Sequence, residues 1–163
     1  EVHAFDAIKS NQYQSVMIDA SHDDFENNIK RTSEVVKAAH KSGVFVEAEL
    51  GVLSGVEDDI SIDEKDSKYT NPYEVAEFVA RTKCDSIAVA VGTSHGAYKF
   101  SGGQGIQFDI LKEIQERIPN FPIVLHGGSS VNDVEIKRIY SCIELEMMSM
   151  MRMSFLDDHS RNY

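Results

Sequence analysis

Short apolar runs alternate along the chain with longer segments in which apolar residues recur at helical spacing. The apolar runs have the length and composition of buried strands, and they cover residues 15–19, 44–50, 85–92 and 122–128. The helical segments that follow them cover residues 21–43, 71–83, 106–118 and about 132–146. Strands and helices that alternate in this way predict an α/β fold, with a parallel sheet and helices packed against it.

The predicted helices carry start and stop signals. Asn71, Pro72 and Glu74 supply a cap, a first-turn proline and a capping-box glutamate. Gly43 closes the first helical segment and is a typical terminating residue. Between the second predicted strand and the second helix, residues 51–70 are long and acidic, and we predict a loop there. Loops of this length are often functional or mobile.

Two ways of closing the predicted sheet are open at this point, a doubly wound open sheet and a segment of a (β/α)8 barrel. A complete barrel needs roughly 200 residues or more, whereas the chain has 163 residues. Its four strand–helix units therefore correspond to about half of a barrel. The sequence shows no linker, repeat or low-complexity run, so we expect residues 1–163 to form a single partial domain.

Composition and charge exclude several classes of protein. The net charge of −11 argues against general nucleic-acid binding, which needs a basic surface. The absence of any apolar run of about 18 residues predicts no membrane span, and the first residues do not read as a signal peptide. Cys84 and Cys142 form no close-spaced pair, and we expect them to be free thiols in the reducing cytoplasm.

Each predicted strand ends in a side chain that can bind a metal ion or exchange a proton. These side chains are Asp19, Glu49, His95 and His126. Any one of them alone is more often structural, because an aspartate after a strand commonly caps a helix and a lone histidine commonly makes an ordinary hydrogen bond. Four together are less easily explained by chance, since parallel α/β proteins place their sites at the carboxyl ends of strands.

The two histidines suggest a zinc site. Zinc takes neutral imidazole ligands and keeps an open position when it is catalytic. The two carboxylates can orient the histidines or hold a second cation. His22, on the opening turn of a helix, is a further candidate ligand, although a solvated side chain is the favoured interpretation. The position of His3 near the start of the chain gives no indication of its role.

Glycines flank both strand-end histidines, which indicates a ligand that approaches the backbone closely. These glycines are Gly92, Gly96, Gly127 and Gly128. Backbone N–H groups in such loops bind phosphate, with Ser129 and Lys99 as further donors. Together, the paired histidines and the glycine-rich loops indicate metal chemistry on a phosphorylated small molecule. In such chemistry zinc polarises a carbonyl and stabilises an enediolate. Glu57 and Asp58 in the acidic loop are candidate acid–base groups, although a solvated run of charges is an equal alternative.

Five segments of the chain resemble the class II, zinc-dependent fructose-bisphosphate aldolases and the related tagatose-bisphosphate aldolases. They are SVMIDASH, VEAELG, GVEDD, VGTSHGAYKF and VLHGGSS, and the likeness runs from about residue 5 to residue 140. The resemblance implies a TIM barrel that forms a homodimer or homotetramer. It also implies reversible cleavage of fructose 1,6-bisphosphate to dihydroxyacetone phosphate and glyceraldehyde 3-phosphate, a reaction of glycolysis and gluconeogenesis.

The resemblance also assigns roles to the candidate residues. It implies that His95 and His126 are two of three catalytic zinc ligands, and that Asp19 and Glu49 surround a second metal position. It implies that Glu57 is the acid–base group. The residues that match the regions for phosphate and a monovalent cation are Gly96, Lys99, Gly127, Gly128 and Ser129.

The chain also departs from the family pattern at both ends. The family's Asp-His-Gly motif, which supplies the third zinc ligand and a catalytic aspartate, is absent, and His3 does not replace it. The pattern is lost after about Ile143, so residues 144–163 form a divergent tail and the downstream phosphate site is not readable. Two alternatives therefore stand beside the first interpretation. One is a tagatose-bisphosphate aldolase, and the other is a truncated, inactive chain that at most binds a metal or a partner.

Overall fold

The computed structural model describes the backbone of most of the chain. The described residues are 2–52, 54–57, 60–62, 69–95, 105–128 and 131–139, and side chains are described for these except at 54–57, 60–62 and 94–95. The chain divides into two compact units, residues 1–130 and 131–163. In the second unit residues 133–139 are helical, within the predicted helix at 132–146, and Asn132 caps this helix by accepting from the N–H of Glu135 at 3.0 Å.

The first unit alternates helices and strands. Its helices are α1 (Val2–Ser10), α2 (Phe25–Lys41), α3 (Pro72–Thr82) and α4 (Phe108–Arg117). Its strands are β1 (Ser15–Ile18), β2 (Phe45–Leu50), β3 (Ser54–Glu57), β4 (Ile60–Ile62), β5 (Ser86–Val89), β6 (Ser94–His95) and β7 (Ile123–Val124). The four predicted strands and the three predicted helices of this unit are confirmed in position.

The main sheet has the strand order of a barrel segment. It contains β1, β2, β5 and β7, in that order, and every pair is parallel. Each of these strands is added beside the previous one, always at the same edge. A doubly wound sheet instead reverses this direction at a switch point. The order therefore decides between the two closures left open by the sequence, in favour of the barrel.

The helices cover one face of the main sheet. The core between sheet and helices contains fully buried side chains from both layers: Val35, Val46, Val75, Phe78, Ile87, Val89 and Ile114. Successive strand residues point to opposite faces, so the opposite face of β1 and β2 carries Met17, Glu47 and Glu49. On this face Met17 is 39% exposed, whereas Glu49 is buried.

The helix caps follow the sequence signals. Asp24 caps α2 by accepting a hydrogen bond from the N–H of Asn27 at 3.0 Å. Asn71 caps α3 by accepting from the N–H of Tyr73 at 3.1 Å, as the sequence predicts, and Pro72 opens the helix. These caps matter for the site because they fix where each helix begins after the carboxyl end of a strand.

Three features differ from the sequence-based expectations. The acidic segment 51–70, predicted as a loop, contains β3 and β4, which pair antiparallel, and β6 pairs with β3 to complete a second sheet of three strands. Helix α1 was not predicted. The fourth predicted strand is confirmed in position, but only two residues of it form β7. Short strands are hard to predict in a charged segment, because pairing with distant residues decides whether they form. The predicted tail at 144–163 lies outside the described residues.

Candidate active site

Glu47 and His126 contact each other on the face of the main sheet that the helices leave open. The Nε2 atom of His126 lies 2.6 Å from Oε1 of Glu47. Their side chains are 23% and 22% exposed, respectively. A carboxylate only accepts hydrogen bonds, so the imidazole N–H donates. The contact brings the carboxyl end of β7 together with β2, although β5 lies between these strands.

Small side chains on β5 allow this contact across the sheet. The parallel register pairs Glu47 with Ser86, and it pairs Ala88 with Val124. Ser86 and Ala88 therefore lie on the same face as Glu47, in the strand between the two partners. Neither side chain is long enough to separate the carboxylate from the imidazole, so Glu47 and His126 can meet above them.

Glu49 lies on the same face of β2, two residues after Glu47. It is 5% exposed, which makes it a buried charged residue. Its backbone carbonyl accepts a hydrogen bond from the side-chain amide of Asn28 at 3.0 Å, and the amide oxygen of Asn28 accepts from Thr32 at 3.1 Å. Helix α2 thereby holds the end of β2 in place. The predicted role of Glu49 in metal binding stays a prediction.

Asp19 follows β1 directly, beside the end of β2. The last paired positions of these strands are Ile18 and Ala48, so Asp19 comes next to Glu49 in the register. Its Oδ1 accepts a hydrogen bond from the N–H of Ser21 at 2.8 Å, and its Oδ2 lies 3.9 Å from Nε2 of His22. Asp19 therefore stabilises the local turn. Its hydrogen bond to Ser21 is compatible both with a purely structural role and with the predicted role near a metal ion.

The expectation that His95 ends a strand of the main sheet is wrong. Strand β5 ends at Val89, and His95 lies six residues later in β6, where it is paired with Gly55 of β3. The chain turns at Gly92, whose φ is +101° and where an added Cβ would come within 2.8 Å of the carbonyl oxygen of Gly105. This turn lies between β5 and β6, and β6 places His95 in the same small sheet as the backbone of Glu57.

The phosphate-binding predictions fall largely outside the described residues. Gly96, Lys99, Ser129 and the alternative acid–base residue Asp58 lie there, as do the side chains of Glu57 and His95. Gly127 is described and has a φ of +67°, which favours glycine. An added Cβ at Gly128 would meet nothing within 4 Å, so the backbone there is open. The roles assigned to all these residues stay predictions.

The described side chains do not by themselves complete a metal site. Among them, no group of three or more His, Cys, Asp and Glu residues is close enough to hold a metal ion. The chemistry of His126 nevertheless fits a metal ligand, because ligating histidines usually donate their second N–H to a carboxylate or a carbonyl. In the same described part of the chain, no helix is both long enough and apolar enough to cross a membrane.

Glu47 is the residue of the site that sequence reasoning missed. The search for side chains at strand ends selected Glu49, the later of the two glutamates in VEAEL. The available signal was the spacing of two residues, which places both carboxylates on one face of a strand. The contact with His126 was not predictable, because it joins residues 79 positions apart.

A separate acidic cavity lies at the N-termini of α2 and α3. Its volume is about 290 Å³, and its lining includes the carboxylates of Asp23, Asp24 and Glu74. Asp23 binds Arg31 at 2.6 Å, and Asp24 caps α2. Of the predicted site residues with described side chains, none lines this cavity, although Leu50 and Asn28 in its lining adjoin Glu49. The carboxylates of the cavity make it a poor place for a phosphate.

Comparisons with known proteins identify the family of the chain. The family model described as "Fructose-bisphosphate aldolase class-II" matches residues 2–154. A fructose-bisphosphate aldolase of Helicobacter pylori (strain ATCC 700392 / 26695) is 53% identical over 127 residues, which are 78% of this chain and 41% of that protein. The D-tagatose-1,6-bisphosphate aldolase subunit GatY of Klebsiella oxytoca is 49% identical over 128 residues, covering 78% and 44% of the two chains.

A solved structure gives the same result for the fold. The crystal structure of the YdjI aldolase from Escherichia coli K12 matches with a TM-score of 0.68 at 35% identity, over 87% of this chain and 46% of that one. The chain thus spans less than half the length of the relatives it matches. With its parallel β/α units wound as a partial TIM barrel, the chain belongs to the class II fructose-bisphosphate aldolase family.

Proposed function

We propose that the protein is a zinc-dependent aldolase that reversibly cleaves fructose 1,6-bisphosphate to dihydroxyacetone phosphate and glyceraldehyde 3-phosphate, in glycolysis and gluconeogenesis. The observation that carries the proposal is the contact of Glu47 with His126 in a chain of this family. A carboxylate that fixes an imidazole at a strand end is the arrangement of a metal-binding histidine.

In this proposal the metal ligands of the chain are His95 and His126, with Asp19 and Glu49 around a second divalent position. Zinc would polarise the substrate carbonyl and stabilise the negative charge that develops on its oxygen. Glu57 moves the proton at the carbon next to that carbonyl. The pairing of β6 with β3 supports this grouping, since it joins the backbone segments that carry His95 and Glu57.

The substrate's phosphates are assigned to the two glycine-containing loops. Gly96 and Lys99 serve one part of the phosphate and monovalent-cation region, and Gly127, Gly128 and Ser129 serve the other. The open backbone at Gly128 supports close approach of a ligand. A local cation such as Lys99 is needed because the net charge of −11 does not attract a bisphosphate.

The cellular setting and assembly belong to the same proposal. Burial raises the pKa of the Cys84 thiol, so it is a poorly reactive free thiol, as expected for a protein of the reducing cytoplasm. The apolar side chain of Met17 is 39% exposed, and exposed apolar surface of this kind supports contact with another chain. A homo-oligomer, dimeric or tetrameric, is the assembly we propose.

A tagatose bisphosphate is the second candidate substrate. It is favoured by the 49% identity to the GatY subunit, which is close to the 53% identity to the fructose-bisphosphate aldolase. The two sugars differ in stereochemistry at one carbon.

The test is an aldol-cleavage assay of the purified protein with each bisphosphate, before and after removal of metal by a chelator. We expect cleavage that the chelator abolishes and that added Zn²⁺ restores. The ratio of kcat/KM for the two sugars identifies the substrate. Cleavage that persists without metal would refute the zinc mechanism. Failure to cleave either sugar with zinc present would instead favour an inactive chain.

A further inference from the structure

We infer that Glu47 is a positioning residue for His126, which it holds in the orientation and tautomer that present Nδ1 to a metal ion. The metal part of this inference rests on the proposed function. The contact between the two side chains does not, because it is read directly from the positions of their atoms. The two parts can therefore be tested separately.

The geometry determines the tautomer. Oε1 of Glu47 lies 2.6 Å from Nε2 of His126, and a carboxylate only accepts, so the proton of the neutral ring resides on Nε2. The lone pair that a metal requires is then on Nδ1. Without Glu47 the ring could rotate and exchange tautomers, and both changes would lower its affinity for a metal.

The surroundings of Glu47 suit this role. Ser86 and Ala88 leave room above β5, so the carboxylate reaches the imidazole across the intervening strand. Both side chains are about four-fifths buried, which reduces competition from water and strengthens the hydrogen bond. Strand β2, which carries the carboxylate, is paired on both sides, and a position held in this way makes a precise support for a ligand.

Two other histidine–carboxylate contacts of the described residues differ in kind. Nε2 of His40 lies 2.9 Å from Asp85, but this carboxylate also accepts from the N–H of Val46 and so links α2 to the sheet. Nε2 of His22 lies 3.9 Å from Asp19, which is beyond hydrogen-bonding distance. His40 provides an internal reference for experiments on His126.

The first experiment measures the tautomer of His126 in the metal-free protein. Imidazole ¹⁵N shifts recorded at mildly alkaline pH, where imidazole is neutral, are expected to show His126 protonated at Nε2. Glu47→Leu removes the acceptor and should give a mixture of tautomers, with the His40 signals unchanged. Glu47→Gln keeps an acceptor and should largely retain the Nε2–H form. An unchanged His126 tautomer in Glu47→Leu would overturn the inference.

The second experiment measures Zn²⁺ affinity by competition with a chromophoric chelator. Loss of a partner of a metal ligand typically costs 10- to 100-fold in affinity, so Glu47→Leu should weaken binding by about that factor. Glu47→Gln should weaken it less, because a neutral amide accepts a weaker hydrogen bond than a carboxylate. The controls are Glu34→Leu and Glu34→Gln, which alter an exposed carboxylate on α2 and should leave affinity unchanged.

The outcomes separate this inference from the proposed function. If Glu47→Leu does not fold, Glu47→Gln decides the matter, and wild-type affinity in that variant would overturn the inference. If the tautomer depends on Glu47 but the wild-type protein neither binds zinc nor cleaves sugar bisphosphates, the proposed function fails and the metal part of the inference fails with it. If the wild-type protein binds zinc and both Glu47 variants bind it more weakly, the result supports the inference and the zinc site of the proposed function.

Discussion

The side-chain hydroxyl of Thr70 accepts a hydrogen bond from the backbone N–H of Ala90 at 2.8 Å. The same hydroxyl donates to the backbone carbonyl of Leu50, and Thr70 is 1% exposed. Leu50 is the last residue of β2, and Ala90 directly follows β5. One buried hydroxyl therefore joins the carboxyl ends of two adjacent strands, at the edge of the sheet where the candidate site lies.

Replacing Thr70 with valine should destabilise the protein. The change keeps the shape of the side chain but leaves the N–H of Ala90 and the carbonyl of Leu50 without this partner. An unsatisfied buried group costs about 1–3 kcal/mol, and we expect a loss of that size in the free energy of unfolding measured in urea. Thr70→Ser is the control because it retains the hydroxyl. Equal stability of Thr70→Val and wild type would contradict this account.

Gly51→Ala should also destabilise the protein, for a steric reason. An added Cβ would lie 2.6 Å from Oγ1 of Thr70 and 2.8 Å from Cβ of Ala90, and the φ of Gly51 is +97°. Gly43→Ala is a matched control, since Gly43 has a φ of +69° with nothing within 4 Å of an added Cβ. Gly43→Ala should cost about 1–2 kcal/mol through backbone strain alone. Thermal unfolding should show a larger loss for Gly51→Ala, and equal losses would refute the predicted clash.

Replacing His126 with alanine should abolish metal-dependent cleavage, because it removes a proposed zinc ligand. The assay measures kcat/KM with added Zn²⁺, together with the zinc content of the purified variant. His40→Ala serves as the control, since His40 lies on α2 and contacts Asp85. If His126→Ala keeps wild-type activity, the zinc assignment is wrong.

Glu57→Gln should separate binding from proton transfer. The amide keeps the size of the side chain but does not take up a proton at neutral pH. We therefore expect near-normal substrate affinity and very slow exchange of the carbon-bound proton of dihydroxyacetone phosphate, followed by NMR in D₂O. Asp58→Asn tests the alternative acid–base residue in the same assay. Normal exchange in Glu57→Gln would remove Glu57 from the mechanism.

The contact between α2 and α3 gives a prediction about pH. Arg81 binds Glu26 at 2.6 Å, and this hydrogen bond lowers the pKa of the Glu26 carboxyl. Because the pKa is lower in the folded state, the pair stabilises the fold above the ordinary pKa of glutamate. This stabilisation is lost as the pH falls through the folded-state value.

The measurement is an NMR titration of the Glu26 carboxyl in wild type and in Arg81→Met. The variant should raise the pKa of Glu26 towards its ordinary value, since Arg81 is the main cause of the shift. Lys30→Met, which removes an exposed cation from the same helix, should leave the pKa of Glu26 nearly unchanged. Equal titration curves for wild type and Arg81→Met would contradict the assignment.

The predictions of secondary structure are confirmed where the local sequence signals agree with the burial of the residues. The apolar spacing of α2 and the cap at Asn71 each depend on residues close together in the chain, and both are confirmed. The hairpin of β3 and β4 was not predicted, because its strands are short and lie among acidic residues. Local preferences decide little in such segments, and pairing with β6 is a tertiary contact.

The sequence by itself determined the alternation of strands and helices, the caps and the family resemblance, because each depends on residues that are close together in the chain. Tertiary structure decided the direction in which strands are added to the sheet, which selects the barrel over the doubly wound fold. It also decided that His95 belongs to β6 and that Glu47 meets His126 across β5. These relationships join residues far apart in the chain, and they depend on strand register, on the small side chains of β5 and on the turn at Gly92.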